Sequence, residues 1–310
     1  MTESHGARTA RGARRGKALW RGARRNPGFA LGLAVLLALG VIAALAPLIF
    51  PAGSGLQVGE SYAAPSGEHL LGLDDGGADV LAELTWGARI SLLVGVCAGA
   101  ITVLVGGLVG LLSGYFGGWL EQMLMRVTDF FLVIPVLPVM IIIAALYGTH
   151  LVNTILIIGL LSWQSTARVV RAQAKSVRER LFVRRARAMG SSHARTLIRH
   201  VLPQVGPLLA ASTALAIGHA IFFEAALRFL GLADSNTTSW GQMIADAFQR
   251  GATNAGAWWV LLPPGLAIGL VVLMTTVLGR RLEQHMNPRL EVSHLGLRSF
   301  RRQHAAGRSR

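Results

Sequence analysis

Long uncharged apolar stretches alternate along the chain with shorter segments that hold nearly all of its charge. An α-helix needs about 20 residues to cross about 30 Å of hydrocarbon. Six stretches of 17 to 24 residues contain no Asp, Glu, Lys or Arg. The pattern predicts an all-α membrane protein with six transmembrane helices. The stretches are 29–50, 90–113, 130–147, 151–167, 205–223 and 258–278.

The third and fourth stretches are the shortest, at 18 and 17 residues. They fit either two separate spans or one buried hairpin. The intervening Gly148-Thr149-His150 is a plausible polar turn between two spans. We therefore favour two spans.

The charged segments are strongly asymmetric. Residues 1–28 hold eight Lys/Arg, 168–203 hold ten and 280–310 hold eight, whereas 51–88 hold none and six acids. Because Lys and Arg are retained on the cytoplasmic side, we expect two basic cytoplasmic tails, 1–28 and 280–310. Residues 51–88 then form an extracytoplasmic segment. Retention and attraction to anionic membrane lipid explain the net charge of +15 without nucleic acid.

No motif in the chain supports catalysis or metal binding. Cys97 is the single cysteine, and there is no His-Glu-x-x-His. The run from Arg11 to Ala18 lacks the first glycine and the final Ser or Thr of a phosphate loop. The six stretches also lack the intramembrane acids typical of ion-driven carriers. We therefore expect a non-enzymatic chain, without cofactor, whose energy comes from another subunit.

Glycine spacing predicts close helix packing. Gly106, Gly110, Gly114 and Gly118 recur every four residues, and Gly95 and Gly99 form a second such pair. Small residues at this spacing let two helix backbones approach closely within a membrane.

The basic segment 178–203 is predicted to form two short helices outside the membrane. Gly190 is suited to end the first helix, and Ser191 or Ser192 to cap the second. Pro203 is expected to end that helix or turn it into the fifth span. The apolar side of these two helices is then expected to insert into a groove of a partner protein. The residues on this side are Leu181, Phe182, Ala186, Met189, Leu197 and Ile198.

This segment carries a family resemblance. Ala186-Arg187-Ala188-Met189-Gly190, followed by Ile198-Arg199-His200-Val201-Leu202-Pro203, resembles the cytoplasmic coupling loop of ABC-importer permeases. Further motifs in order along the chain resemble the dipeptide/oligopeptide/nickel permease family, specifically its C-type subunit. These motifs are His69-Leu70-Leu71-Gly72-Leu73-Asp74, Gly87-Ala88-Arg89-Ile90-Ser91, Gly114-Tyr115-Phe116-Gly117-Gly118, Met125-Arg126-Val127-Thr128-Asp129, Phe223-Glu224-Ala225-Ala226-Leu227-Arg228-Phe229-Leu230-Gly231-Leu232, Ser239-Trp240-Gly241 and Asn287-Pro288-Arg289-Leu290.

The resemblance implies a type I ABC-importer-like fold, with a transmembrane permease core over 89–279 that includes the coupling loop 178–203. It also implies a bacterial cytoplasmic membrane protein with partners: a second homologous permease, two ATPases that bind ATP and Mg²⁺, and an extracytoplasmic substrate-binding protein. The implied ATPase-coupling residues are Arg184, Arg185, Ala186, Met189, Gly190, Ile198 and Pro203.

One position departs from the family pattern. Arg184 stands where the family's loop usually has the Glu of Glu-Ala-Ala. Either the partner ATPase supplies an acid in its groove, or coupling here is weak.

Three functions fit the sequence. The resemblance favours half of an import pathway for di- and oligopeptides. A nickel importer of the same family is the alternative. A self-sufficient channel or secondary carrier belongs to another class and is less consistent with the motifs.

Individual polar residues suggest smaller roles. Arg126 and Asp129, three residues apart, are predicted to form a structural ion pair. His219, Glu224 and Trp240 are candidates for a cavity or gate. For His219 the competing interpretation is a hydrogen bond between helices, and for Glu224 it is a contact with the outer loop.

Overall fold

The computed structural model describes residues 27–232, 234 and 237–286. Nearly all of the two predicted basic tails, and the motif Asn287 to Leu290, lie outside these residues. The described part is helical and has two isolated β-bridges but no sheet. Its helices are α1 (Pro27–Ile49), α2 (Val80–Phe116), α3 (Gly118–Val133), α4 (Val136–Tyr147), α5 (Leu151–Leu161), α6 (Gln164–Arg178), α7 (Leu181–Ala188), α8 (His193–Thr196), α9 (Leu202–Phe229), α10 (Trp240–Gln249) and α11 (Trp258–Met286).

Helix α2 is the central element of the bundle. It begins where the Asp79 side chain accepts hydrogen bonds from the backbone N–H groups of Leu81 and Ala82, an N-cap that satisfies two otherwise unpaired donors. Its 37 residues extend over about 55 Å at 1.5 Å per residue. It is therefore longer than a hydrocarbon layer is thick, and its most extensive contacts are with α6 and α9.

The glycine row packs α2 against α6. A Cβ added at Gly106, Gly110 or Gly114 would lie 2.5–2.6 Å from a backbone carbonyl oxygen of Trp163, Ala167 or Arg171. No side chain fits in that space, so glycine is what permits the contact. The predicted close packing is confirmed for these three glycines. The fourth glycine differs: Gly118 begins α3 and has nothing within 4 Å of its Cβ position.

The pair Gly95 and Gly99 packs α2 against α9 in the same way. A Cβ at Gly95 would lie 2.6 Å from the side chain of Ile221, and one at Gly99 would lie 3.0 Å from the backbone nitrogen of Ile217. Two glycine faces of one helix therefore hold two different neighbours.

The number of spans differs from the prediction of six. By length and composition, four helices are able to cross a membrane: α1, α2, the continuous run His193–Phe229, and α11; a fifth span exists if α3 and α4 count as one. Those two meet at an angle of 86°. The stretch 151–167 is divided as well, into α5 and the start of α6. The six-helix count is therefore wrong.

A local backbone preference explains the break between α3 and α4. Ile134 precedes Pro135, whose ring disfavours the α conformation of the residue before it, and Ile134 has φ −75° and ψ 127°. Ser162 ends α5 with φ −117° and ψ 6°. Helices α4 and α5 pack side by side across the turn at Gly148, as in the hairpin alternative.

Three buried clusters follow one another along α2. The first contains Val80 and Ala88, the second Val94 and Ala98, and the third Leu111. We call the end of the bundle that carries residues 51–79 and α10 the acidic end, and the end that carries α7 and α8 the basic end. Helix α9 contributes to all three clusters and so connects the two ends.

Candidate functional site

The basic end carries the predicted pair of short helices. Helix α7 begins at Leu181 rather than at 178, because α6 continues to Arg178. After α7 the chain turns at Gly190, whose φ of +85° is a conformation that glycine adopts readily. The Ser192 hydroxyl accepts a hydrogen bond from the N–H of Arg195 at 3.3 Å and so caps α8. The two-helix prediction, the Gly190 turn and the serine cap are confirmed.

Pro203 does not end the second helix. Leu197–Val201 forms a π-helical turn between α8 and α9, in which the N–H of Leu202 donates to the carbonyl of Leu197. Proline has no N–H and its ring crowds the preceding turn, and a wider turn relieves this conflict. The chain is therefore helical without interruption from His193 to Phe229.

One side of α7 packs on the bundle. Val183 and Ala186 are buried, and Val183 belongs to the same cluster as Tyr115 and Val201. Ala186 was expected on the docking side and instead faces the bundle, since it lies one helical turn after Val183. This packing fixes α7 to the ends of α2 and α9.

Polar contacts close the turn between α7 and α8. The Arg187 guanidinium donates to the Ser191 carbonyl at 2.6 Å and lies 2.8 Å from Nε2 of His193. Nδ1 of His193 lies 3.2 Å from the Tyr115 hydroxyl. Arg187 is positively charged, so Nε2 accepts this hydrogen bond and Nδ1 carries the proton toward Tyr115. The turn is thereby joined to the end of α2.

The opposite side of α7 and α8 is an exposed apolar patch surrounded by arginine. Met189 is 82% and Ile198 64% exposed, which is far more than an apolar side chain shows in a folded core. Arg184 and Arg185 are exposed beside them and form no ion pair with any described residue. We call this patch the coupling surface; it consists of Leu181, Phe182, Arg184, Arg185, Met189 and Ile198.

Ion pairs join α3 to α6 at the same end. Glu121 accepts hydrogen bonds from Arg171 and from Lys175, the latter at 3.1 Å. Asp129 pairs with Arg168 at 2.6 Å. The predicted pair of Arg126 with Asp129 is therefore wrong: the carboxylate is directed toward the neighbouring helix and not along its own.

Glu224 and Trp240 are buried at the acidic end and do not line an open cavity. Glu224 pairs with Arg228 one turn later, and both side chains are at most 1% exposed. Ser91 donates to Glu224 at 3.5 Å and accepts from the backbone N–H of Trp240 at 3.2 Å. The spacing of four between Glu224 and Arg228 was a readable helical signal that the sequence analysis did not use.

The same network holds the segment that leads into α10. Arg228 donates to the carbonyl oxygens of Asp234 and Thr237, each at 2.9 Å. The Trp240 indole N–H donates to the carbonyl of Leu84 at 2.9 Å. These bonds satisfy groups that would be costly to bury unpaired. Helix α10 is thereby fixed to the ends of α2 and α9.

Residues 51–79 form a folded cover at the acidic end. Asp74 is buried and accepts a hydrogen bond from the N–H of Ala78 at 2.6 Å. Burial raises the pKa of the Asp74 carboxyl above its ordinary value, because the charged form loses hydration. Asp75 pairs with Arg250 at 2.8 Å, so the cover is attached to the end of α10.

His219 lies on the wall of a cavity of about 250 Å³ between α2, α5, α6 and α9. The remaining polar wall is made of hydroxyl groups that the sequence analysis did not single out: Thr102, Ser162, Ser165, Thr166 and Ser212. These residues are far apart in the sequence, and serine in a membrane helix is not by itself a signal. Within the part of the chain that the structure describes, no group of three His, Cys, Asp or Glu side chains could hold a metal ion.

Comparison with known proteins assigns this chain to a family of membrane proteins. Residues 106–292 match the model of the family described as binding-protein-dependent transport system inner membrane component. The dipeptide transport system permease protein DppC of Alkalihalophilus pseudofirmus is 33% identical over 271 residues, 86% of this chain and 88% of the relative. The oligopeptide transport system permease protein OppC of Mycobacterium bovis is 34% identical over 88% of this chain and 94% of its own length.

A solved structure supports the fold. A chain of the MetNI methionine ABC transporter superposes with a TM-score of 0.52 at 18% identity, covering 67% of this chain and 96% of that chain. The likeness shows a type I ABC-importer permease fold, in agreement with the fold class predicted from the sequence. The family model covers more than half of the chain, and the two permeases match along most of it. This protein therefore belongs to the family of binding-protein-dependent transport system inner membrane components, and it is a multi-pass membrane permease of the dipeptide and oligopeptide group.

Proposed function

We propose that this chain forms half of the pathway of an ATP-driven peptide importer and couples that pathway to partner ATPases through residues 178–203. Its named relatives are dipeptide and oligopeptide permeases. A second, homologous permease supplies the other half of the pathway. Two ATPases bind ATP and Mg²⁺ at the basic end, and a separate binding protein delivers the substrate at the acidic end.

The observation that carries the proposal is the coupling surface. It presents four exposed apolar side chains, two of them on α7, whose other side is buried in the bundle. An apolar patch of this kind, rimmed by charge, is typical of a protein interaction site. Because α7 and α8 connect directly to α6 and α9, a force applied to the patch reaches the membrane helices.

The orientation follows from charge. Residues 178–203 carry seven arginines and the single acid Glu179, so the positive-inside rule puts the basic end in the cytoplasm. The acidic cover of residues 51–79 then faces outward. Helix α2 ends at the basic end. Both chain termini are cytoplasmic if α3, α4 and α5 together bring the chain back to that same end.

The positive charge of the coupling surface predicts the charge of the partner surface that binds it. Arg184 replaces the acid that is usual in the family, and it is exposed without an ion-pair partner among the described residues. An ATPase that binds here by complementary charge presents an acid to Arg184.

The test is substrate-stimulated ATP hydrolysis by the assembled complex. Met189→Glu places a charge in the apolar patch, and Gly190→Trp places a bulky side chain at a position with positive φ. We expect both to abolish stimulation by the loaded binding protein. Arg281→Glu is the control, since Arg281 is exposed on α11 outside the coupling surface. Unchanged stimulation in both variants contradicts the coupling role.

A transport assay decides between the functions. Uptake of labelled di- and oligopeptides by the complex supports the proposal, whereas uptake of nickel alone supports the alternative in the same family. Solute movement by the purified chain in liposomes, without any ATPase, supports a channel or secondary carrier instead.

A further inference from the structure

The hydroxyl-lined cavity lies deep within the membrane-spanning part of the bundle. Thr102 is at the centre of the uncharged stretch 90–113, and Ser212 is two residues from the centre of 205–223. Polar groups at such depth, where no bulk water reaches, are characteristic of solute pathways.

One hydroxyl in the cavity wall lacks a partner. The Oγ of Ser162 is buried and forms no hydrogen bond, in contrast to Thr102, which donates to the carbonyl of Gly159 at 3.2 Å. An unpaired buried hydroxyl is unfavourable and rare in folded proteins. The Ser162 hydroxyl is therefore available to form a hydrogen bond with a molecule in the cavity.

Ser162 also lies at the break between α5 and α6. No side chain caps the N-terminus of α6, and its first turn contributes Ser165 and Thr166 to the cavity. Discontinuous helices at mid-membrane depth expose backbone groups to a bound solute in several transporter folds. The break therefore adds hydrogen-bonding capacity at the same place as the free hydroxyl.

The chemistry of the wall restricts what it can bind. Its polar side chains are five hydroxyls and the imidazole of His219, and it contains no Asp, Glu, Lys or Arg. Hydroxyls donate and accept hydrogen bonds, and so match amide N–H and C=O groups equally well. A wall without these charges does not select a particular charged peptide side chain.

We propose that this cavity is a substrate subsite that recognises the backbone amide groups of a peptide through neutral hydrogen bonds. The inference rests on the proposed peptide-import function and specifies the chemistry of its pathway. It explains how one pathway serves peptides of different sequence, since the amide backbone is common to all of them.

The experiment measures transport of a tripeptide and of its analogue with one amide replaced by an ester, in the reconstituted complex with its binding protein. The ester lacks the N–H donor. We expect Ser162→Ala and Ser212→Ala each to raise the KM for the tripeptide about threefold to tenfold, the range of one hydrogen bond. The ratio of tripeptide to ester transport should also move toward one in these variants.

Ser113→Ala is the matched control, because the Ser113 hydroxyl is buried in α2 but donates to the carbonyl of Gly110 outside the cavity. The same binding protein is used throughout, so its own preference cancels in the comparison between permeases. We expect Ser162→Ala not to lower the thermal midpoint of the complex, because the hydroxyl it removes forms no hydrogen bond in the protein, and this separates loss of a ligand contact from loss of folding.

The outcomes distinguish the two proposals. Peptide transport with KM and amide-to-ester ratios unchanged in both variants overturns the subsite and leaves the importer function intact. A wild-type complex that transports no peptide overturns both.

Discussion

Gly110 lies directly against the backbone of Ala167, so closely that a Cβ at Gly110 would be 2.6 Å from the Ala167 carbonyl oxygen. Two membrane helices, α2 and α6, thus meet backbone to backbone. Helix α6 leads directly toward the coupling surface. The contact therefore belongs to the part of the bundle that a partner ATPase would move.

Substitution of Gly110 tests this contact. We expect Gly110→Val to separate α2 from α6 and to destabilise the protein by about 1–3 kcal/mol, the usual cost of overpacking. Thermal unfolding of the detergent-solubilised protein measures the effect. Gly269→Ala is the control, because nothing lies within 4 Å of its Cβ position; equal loss in both variants would contradict the close-packing role.

The buried pair of Glu224 and Arg228 predicts strongly non-additive energetics. Glu224→Gln alone leaves a buried guanidinium without its counter-charge, and we expect a loss of about 3–5 kcal/mol. Arg228→Met alone should cost a similar amount. The double variant should cost clearly less than the sum of the two, which a double-mutant cycle on unfolding free energies measures.

An exposed pair provides the comparison. Arg168 and Asp129 are both more than half exposed, so water screens their attraction and Arg168→Gln should cost less than about 1 kcal/mol. A loss as large as that of Glu224→Gln would show that burial does not distinguish the two pairs.

The coupling surface should bind its ATPase in a salt-dependent manner. We expect Arg184→Glu to weaken association of the ATPase about tenfold at low salt and to have a smaller effect at high salt, since salt screens exposed charges. Arg281→Glu, a matched change in an exposed arginine of α11, should have little effect. Tighter binding by Arg184→Glu would show that the ATPase presents a base here.

The buried carboxyl of Asp74 predicts that the stability of the folded cover, residues 51–79, depends on pH. Its pKa is raised from 3.8, so above pH 3.8 and up to the raised pKa the folded state binds more protons than the unfolded state. Stability from this group is therefore greatest at acid pH and declines as pH rises through that window. Asp74→Asn removes the titration while keeping an acceptor for Ala78.

The measurement is limited proteolysis of residues 51–79 in the intact protein between pH 4 and 7. We expect protection of the wild type to fall more steeply with rising pH than protection of the Asp74→Asn variant. Parallel curves would contradict the assigned effect of burial on this carboxyl.

Sequence patterns predicted features that depend on local spacing. The glycine row was readable because four residues make about one helical turn, and the Gly190 turn because glycine accepts positive φ. The coupling surface was readable except for Ala186, which is buried, and Leu197, which packs against the bundle, because their burial depends on where the short helices dock. The Glu224–Arg228 pair was also available from its spacing.

Features that depend on long-range geometry were not predictable in this way. Hydropathy does not report backbone direction, so the breaks at Ile134 and Ser162 were hidden within uncharged stretches. Six spans were therefore predicted, whereas four to five helices of the described residues are long and apolar enough to cross a membrane. Asp129 meets Arg168 across 39 positions, and no periodicity connects them. The cavity likewise brings together residues from four helices.

The uninterrupted helix through Pro203 links the two faces of the membrane mechanically. Its 37 residues from His193 to Phe229 make a rod of about 55 Å, with Ile198 near one end and Arg228 near the other. If the rod pivots about its middle, a tilt of about 10° displaces its two ends by about 5 Å in opposite directions. In the proposed importer, a push delivered by nucleotide binding inside the cell would thus move the outer mouth, through Arg228 and the segment to which it is hydrogen-bonded.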